Sequence, residues 1–189
     1  MANNQDAAFG LKAIGKVGQN RDNQGLSEYS IAASSSAIYQ NDPVKTAGGY
    51  LVVAGAGGDL RGALTGVFFT DASTSKPTYA NHLKASNTAA DIVGFVVDDP
   101  YERFEIQSNN AGASAVTDVG KTADLAYTAG SAPNFVSKVE FNDSGLNTTA
   151  QQLKIMGFSK DPSNNDVASA NVNLVVIIAE HELKVTTGT

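Results

Sequence analysis

The sequence predicts an all-β fold, and three observations predict it. Turn signals built from Gly, Pro, Asn and Asp recur every 8 to 12 residues. The apolar segments between them alternate with polar residues or form short runs of strand length. No amphipathic helical pattern persists beyond about two turns, so there are no crossover helices for a parallel sheet. The expected architecture is one or two small antiparallel β-barrel or sandwich modules with an extended N-terminal arm.

Residues 1–27 are expected to be that arm. They carry Gly10, Gly15, Gly18 and Gly25 among polar residues, with Phe9, Leu11, Ile14 and Val17 as the sizeable apolar positions. The spacing of those four holds to neither a helical nor a strand period. A stretch so poor in apolar residues cannot order itself, so the four are expected to contact a neighbour.

Residues 28–98 are expected to form a first β module. Tyr29 and Ile31 alternate with Ser. Gln40-Asn-Asp-Pro43 is a turn, and Gly48-Gly49 separates Val44-Lys-Thr46 from Tyr50-Leu-Val-Val53. Gly55-Ala-Gly-Gly58 follows a strand, but neither Lys-Ser/Thr nor a helix follows it, and a hairpin turn is expected there rather than a phosphate loop. Leu64, Val67, Phe68 and Phe69 make the next apolar segment. The stretch from Asp71 to Asp91 is long enough to be a functional loop, and it holds Tyr79 and His82. Ile92-Val-Gly-Phe-Val-Val97 is a continuous apolar run, the pattern of a strand buried on both faces.

Residues 99–185 are expected to form a second β module. Asp98-Asp-Pro ends the preceding strand. Phe104 and Ile106 alternate with Arg103, Glu105 and Gln107. One helical turn fits between Val116 and Tyr127. Phe135 to Phe141 alternates, Gln151 to Phe158 is a further strand, and Asp161-Pro-Ser-Asn-Asn-Asp166 is a turn. Val172 to Ile178 is the last strong strand, and residues 186–189 are a polar tail.

The chemistry-bearing residues are few. There is no cysteine, so there is no disulfide, thiol nucleophile or cysteine-ligated metal. The two histidines, His82 and His181, fall in different modules. Glu180 and Glu182 flank His181, but along a strand they project to the opposite face. The expectation for His181 is a surface histidine with a raised pKa. The densest acidic cluster, Asp98-Asp-Pro-Tyr-Glu102, is better explained as a strand-ending turn than as an acid–base pair. No Gly-x-Ser-x-Gly elbow occurs. The expectation is a non-enzymatic protein without cofactor or metal.

The formal net charge is −6, and no short window is rich in Lys or Arg. This argues against a nucleic-acid partner. No apolar run is long enough for a membrane-spanning helix. The first residues lack a basic and an apolar signal region, so export by a signal peptide is not expected. Charged residues are 17% of the chain, below the roughly 25% usual in soluble domains. Low charge density with many small side chains suits a surface that becomes covered, because each buried charge carries a desolvation cost.

The order of several segments resembles capsid-associated decoration, or cement, proteins of tailed bacteriophages. The segments are Ile38-Tyr-Gln-Asn-Asp-Pro-Val44 with its glycine-rich hairpin, and Gly66-Val-Phe-Phe69 with Thr-Ser-Lys-Pro77 downstream. Asp98-Asp-Pro-Tyr-Glu-Arg-Phe-Glu-Ile-Gln107 follows, then Asp118-Val-Gly120 and Ala123-Asp-Leu125. Leu153-Lys-Ile-Met-Gly157 and the strand running to Glu180-His-Glu182 complete the set. The resemblance implies a tulip-like β fold in the first half and a virion structural protein on the capsid surface. It further implies a homo-oligomer, with a trimer favoured, bound to the major capsid protein and stabilising the shell by adhesive contacts. The candidate assembly contacts are Phe9, Leu11, Ile14, Val17, Tyr79 and His82. Other virion roles (fibre, collar or tail tube) and a carbohydrate-binding β module are the alternatives.

Overall fold

The computed structural model describes residues 4–17, 25–109 and 114–184. The expected tail at 186–189, and residues 1–3 and 18–24 of the expected arm, lie outside the described residues. The chain is all-β. Its strands in order are β1 (Lys12–Lys16), β2 (Ser27–Ser30), β3 (Pro43–Ala47), β4 (Tyr50–Val53), β5 (Gly62–Thr70), β6 (Pro77–Ala80) and β7 (Val93–Val97). There follow β8 (Glu102–Gln107), β9 (Thr122–Ala123), β10 (Leu125–Ala126), β11 (Glu140–Phe141), β12 (Leu153–Phe158) and β13 (Asn173–Ile178). Single 3₁₀ turns occupy Val116–Asp118 and Asp143–Gly145. Among the described residues no helix is long and apolar enough to cross a membrane.

β2 to β7 form a six-stranded antiparallel sheet in the order β2-β7-β5-β3-β4, with β6 also paired to β5. The nine residues of β5 hold it together. Its start pairs with β3, its end with β6, and its opposite edge with β7. Gly48 and Gly49, both with positive φ, make the two-residue turn between β3 and β4, and such a turn matches the right-handed strand twist. At Gly62 a Cβ would lie 2.0 Å from the Val97 carbonyl oxygen, so glycine is what lets β5 approach β7 there. Ile31, Ile38, Val44, Leu51, Leu64, Val67, Leu83, Ile92 and Val96 fill the core of this sheet.

The second sheet has the order β1-β8-β13-β12-β9 and is also antiparallel. β10 and β11 pair separately. No sheet closes into a barrel, and the open antiparallel sheets are those of an all-β sandwich. The second core contains Leu11, Phe104, Ile106, Leu125, Phe141, Leu153, Ile155, Leu174, Val176 and Ile178, with Ala54, Leu60 and Ala63 contributed from the first half. Burial of each large side chain here contributes about 1.5–3 kcal/mol.

Four expectations are corrected by this arrangement. The described part of the arm is an edge strand of its own chain's second sheet, with Lys12 opposite Glu105. Asn4 extends this attachment, its amide donating to the carbonyls of Asp166 and Ala170. Gly55–Gly58 is not a hairpin turn, since β4 and β5 do not pair with each other. It links β4 to β5 within the first sheet, past β3, and the Gly55 and Gly58 carbonyls accept from the Gln152 amide of the second half at 2.9 and 3.1 Å. The stretch Phe135–Phe141 pairs as a strand only at Glu140–Phe141. Finally, His181 is buried, at 1% exposure.

His181 sits where the end of the chain returns to the first half. The Leu60 amide donates to the Glu180 carbonyl and the Glu182 amide to the Leu60 carbonyl, both at 2.9 Å. This bridge carries Glu182 to Thr46 and Arg61. The Glu182 carboxylate accepts from the Thr46 amide at 2.7 Å and its hydroxyl at 2.6 Å, and pairs with the Arg61 guanidinium at 3.0 Å. Burial, with Lys184 and Arg61 nearby, pushes the His181 imidazole down to about 4. The imidazole is therefore neutral at pH 7, and its Nδ1 accepts from the Leu183 amide.

Candidate contact surfaces

Alternation along the central strands decides what each sheet shows to the outside. In β13, Leu174, Val176 and Ile178 point into the core, leaving Val175 and Ile177 on the outer face. In β7, Gly94 and Val96 point into this sheet's core, leaving Val93 and Phe95 on the outer face, while Val97 packs against the second core. A continuous apolar run is the pattern of a strand covered on both faces. Here the described chain fully covers only one. The outer apolar residues of both runs remain half-buried.

On the six-stranded sheet this outer face carries an aromatic row. Phe68 stands opposite Tyr79 on β6 and Val93 on β7. The Phe68 and Tyr79 rings are 4.8 Å apart, and the Tyr79 and Phe95 rings are 6.3 Å apart at 17°. Tyr79 caps the row and is 75% exposed. A two-χ aromatic held on a rigid strand and open to solvent loses little conformational entropy when it binds.

On the five-stranded sheet the outer face is a groove of about 440 Å³. Ile14 and Val17 form one wall, and Met156, Phe158 and Val175 another. Ile14, Val17 and Met156 are each 40% or more exposed. Around them stand Lys12, Arg103, Lys154 and Lys160, with Glu105 as the single acid, 3.9 Å from Lys12. A charged rim around an apolar centre is the layout of a protein–protein contact.

The six expected contact residues are thus divided. Ile14 and Val17 come together in the groove, and Tyr79 heads the aromatic row. Phe9 is half-buried, and its carbonyl accepts from the Asn41 amide at 3.1 Å. Leu11 is fully buried in its own chain's core, and this corrects its assignment as an outward contact. His82 is half-buried. It stacks on Phe135 at 4.0 Å and 4°, with Tyr39 on a parallel plane at 6.2 Å, and it holds the Asn81 side chain at 2.9 Å. Burial and Lys84 lower its pKa, so it is a neutral packing ring. Sequence reasoning missed Phe68, Phe95 and Met156. For Phe95 the signal was present, since a six-residue apolar run in an antiparallel sheet must direct half its side chains outward.

The polar clusters are structural. Asp98 accepts from the Ser27 hydroxyl at 2.7 Å and from the Tyr29 hydroxyl. Asp99 accepts from the Tyr101 amide at 2.8 Å and pairs with Lys16 at 2.9 Å. The Asp161 carboxylate accepts from the Ser163 amide at 2.9 Å, closing an Asx turn. Among the described residues no three His, Cys, Asp or Glu side chains gather as metal ligands would. Comparison with family models, with curated proteins and with solved structures finds no match.

Proposed function

We propose that the protein is a virion structural protein that decorates and stabilises a phage capsid through adhesive contacts with the shell and with copies of itself. The observation that carries this reading is the pair of apolar outer faces. Two strands patterned for burial on both sides, β7 and β13, lie central in sheets whose second side is only half covered. A face of this kind buries apolar surface at roughly 25 cal/mol per Å² once a partner lies over it. Many such contacts repeated over a symmetric shell make individually weak binding effectively permanent. The low charge density fits the same use, because few charges need to be desolvated. The resemblance of segment order to capsid decoration proteins supplies the particular partner, the major capsid protein.

The test is co-sedimentation of the purified protein with expanded capsids. Tyr79→Ser should melt like the wild type and lose capsid binding. A protein that never sediments with capsids overturns the reading, and assembly into tubes would replace it with a tail role. The exposed Tyr79 ring is also what a sugar-stacking platform requires. A Tyr79-dependent glycan-array signal without capsid binding would favour that second reading.

A further inference from the structure

We infer that the groove on the outer face of the five-stranded sheet docks a second copy of this chain, which presents its Asp59, Asp124 and Glu180 carboxylates. The inference deepens the proposed function by naming the occupant of one face, and it rests on that reading only for the premise that the face is covered.

Charge singles out the occupant. Lys12, Arg103, Lys154 and Lys160 against Glu105 give the face a formal charge of +3, on a chain of net −6. The remainder of the chain therefore carries −9. Lys154 and Lys160 have no ion-pair partner among the described residues, although the protein has a surplus of acids. A basic groove on an acidic protein is complementary to the rest of the protein's own surface, and complementarity of this kind steers encounter and fixes register.

One acidic group is built for the role. Gln152 ties its three segments together: the backbone amide donates to Asp124, the side chain to the Gly55 and Gly58 carbonyls, and the carbonyl accepts from the Ala179 amide. This places Asp59, Asp124 and Glu180 in one region, near enough for the first two to act on the Glu180 charge. None has an ion-pair partner among the described residues. Partial burial, with Asp124 and Asp59 beside it, raises the Glu180 carboxyl. Neutralising these charges with cations from another copy relieves their repulsion.

The two patches are different but neighbour one another across β12, since Lys154 pairs with Thr122 on β9 and Asp124 follows that strand. Contacts between them form either twice across a two-fold axis, closing a dimer, or head to tail, closing a ring or running on as a filament.

The experiment is sedimentation velocity and light scattering on the full chain over a concentration series at low and high salt. The expected result is a mass above the monomer at low salt, with association weakened by salt because rim charges are screened. Lys154→Glu with Lys160→Glu should weaken association by about tenfold for each pair lost. A second chain carrying Asp59→Lys and Glu180→Lys should be equally defective alone and should restore association when mixed with the first. Thermal melts on each variant separate lost assembly from lost folding. A monomer at every concentration, or association indifferent to both charge swaps, overturns the inference. So does a monomer whose groove variants lose capsid binding, since the occupant is then the shell. An oligomer that ignores capsids leaves the inference standing and removes the proposed function instead.

Discussion

Leu11→Ala separates an arm that belongs to the fold from an arm that merely lies near it. Leu11 is fully buried and packs in the cluster that holds Phe104, Ile106 and Leu174. Its amide donates to the Asn41 carbonyl at 2.9 Å, a bond that alanine retains. The substitution therefore removes only side-chain packing and leaves a cavity, at a cost of about 3 kcal/mol within a usual range of about 2–5. For a chain of this length each kcal/mol lowers the melting temperature by about 2–4 °C, so a fall of about 6–12 °C is expected. Ile14→Ala, three residues along, is the internal control. Ile14 is 43% exposed, and its truncation should cost less than about 1 kcal/mol. Calorimetry and urea unfolding measure both. If Leu11→Ala melts with the wild type, or if the two variants fall equally, the placement of this strand in the core is wrong.

Three further outcomes follow from particular contacts. Burial raises the Asp42 carboxyl from 3.8 to about 6, against the pull of Ser137 and the Tyr39 amide, so its folded form holds a proton that the unfolded chain has lost. That charge costs about 3 kcal/mol at pH 7 and nothing below about pH 4. Asp42→Asn should thus be more stable than the wild type by up to about 3 kcal/mol at pH 7, with the gap closing towards pH 4 in urea titrations at stepped pH. His181 works in the opposite sense: its folded pKa lies near 4, below the 6.5 of the unfolded imidazole, so acidification through that window removes about 3 kcal/mol. In Asp42→Asn this loss is no longer offset by Asp42, and the variant should weaken as pH falls from 6.5 to 4. Glu182→Ala strands the Arg61 guanidinium and the Thr46 amide, and should cost about 3–5 kcal/mol by the same unfolding assay. Gly62→Ala sets a methyl group 2.0 Å from the Val97 carbonyl oxygen and should lower expression and melting temperature together, at about 3 kcal/mol or more.

The fold class was legible because alternation and turn chemistry are local. β5, β7, β8, β12 and β13 all lie where the apolar pattern places them. The first strand was hidden by a register shift. Pairing of β1 with β8 slips between Ala13 and Gly15, so the period of two that would have marked a strand is broken at its centre. Phe135–Phe141 misled in the opposite way. Ser137, Val139 and Phe141 are buried in alternation, but alternation reports which side chains face inward and not whether the backbone finds a ladder. His181 looked exposed because charged neighbours flank it. What buries it is Leu60, more than a hundred residues away, and no local signal carries such a partner. The contact surfaces were half legible, since apolar runs showed that two strands wanted cover on both sides, while the positions of Met156 and Phe68 depended on bulge and register.

The placement of β1 beside β8 has a consequence for how the molecule comes into being. The first sheet is drawn from a continuous stretch, residues 27–97, and β3 to β6 meet a partner soon after they are made, while β2 waits for β7. The second sheet is not. β1 must wait for β8, which in turn completes its other edge only with β13, and Asn4 finds the Ala170 carbonyl 166 residues downstream. Loops of that length delay closure, and long-range β pairing is intrinsically slow. During synthesis the first sheet forms as a scaffold while Leu11 stays uncovered, and the last core to consolidate is the one that carries the basic groove. Competence to meet a second copy is therefore gained at the end of folding, so a nascent chain has no finished groove to offer.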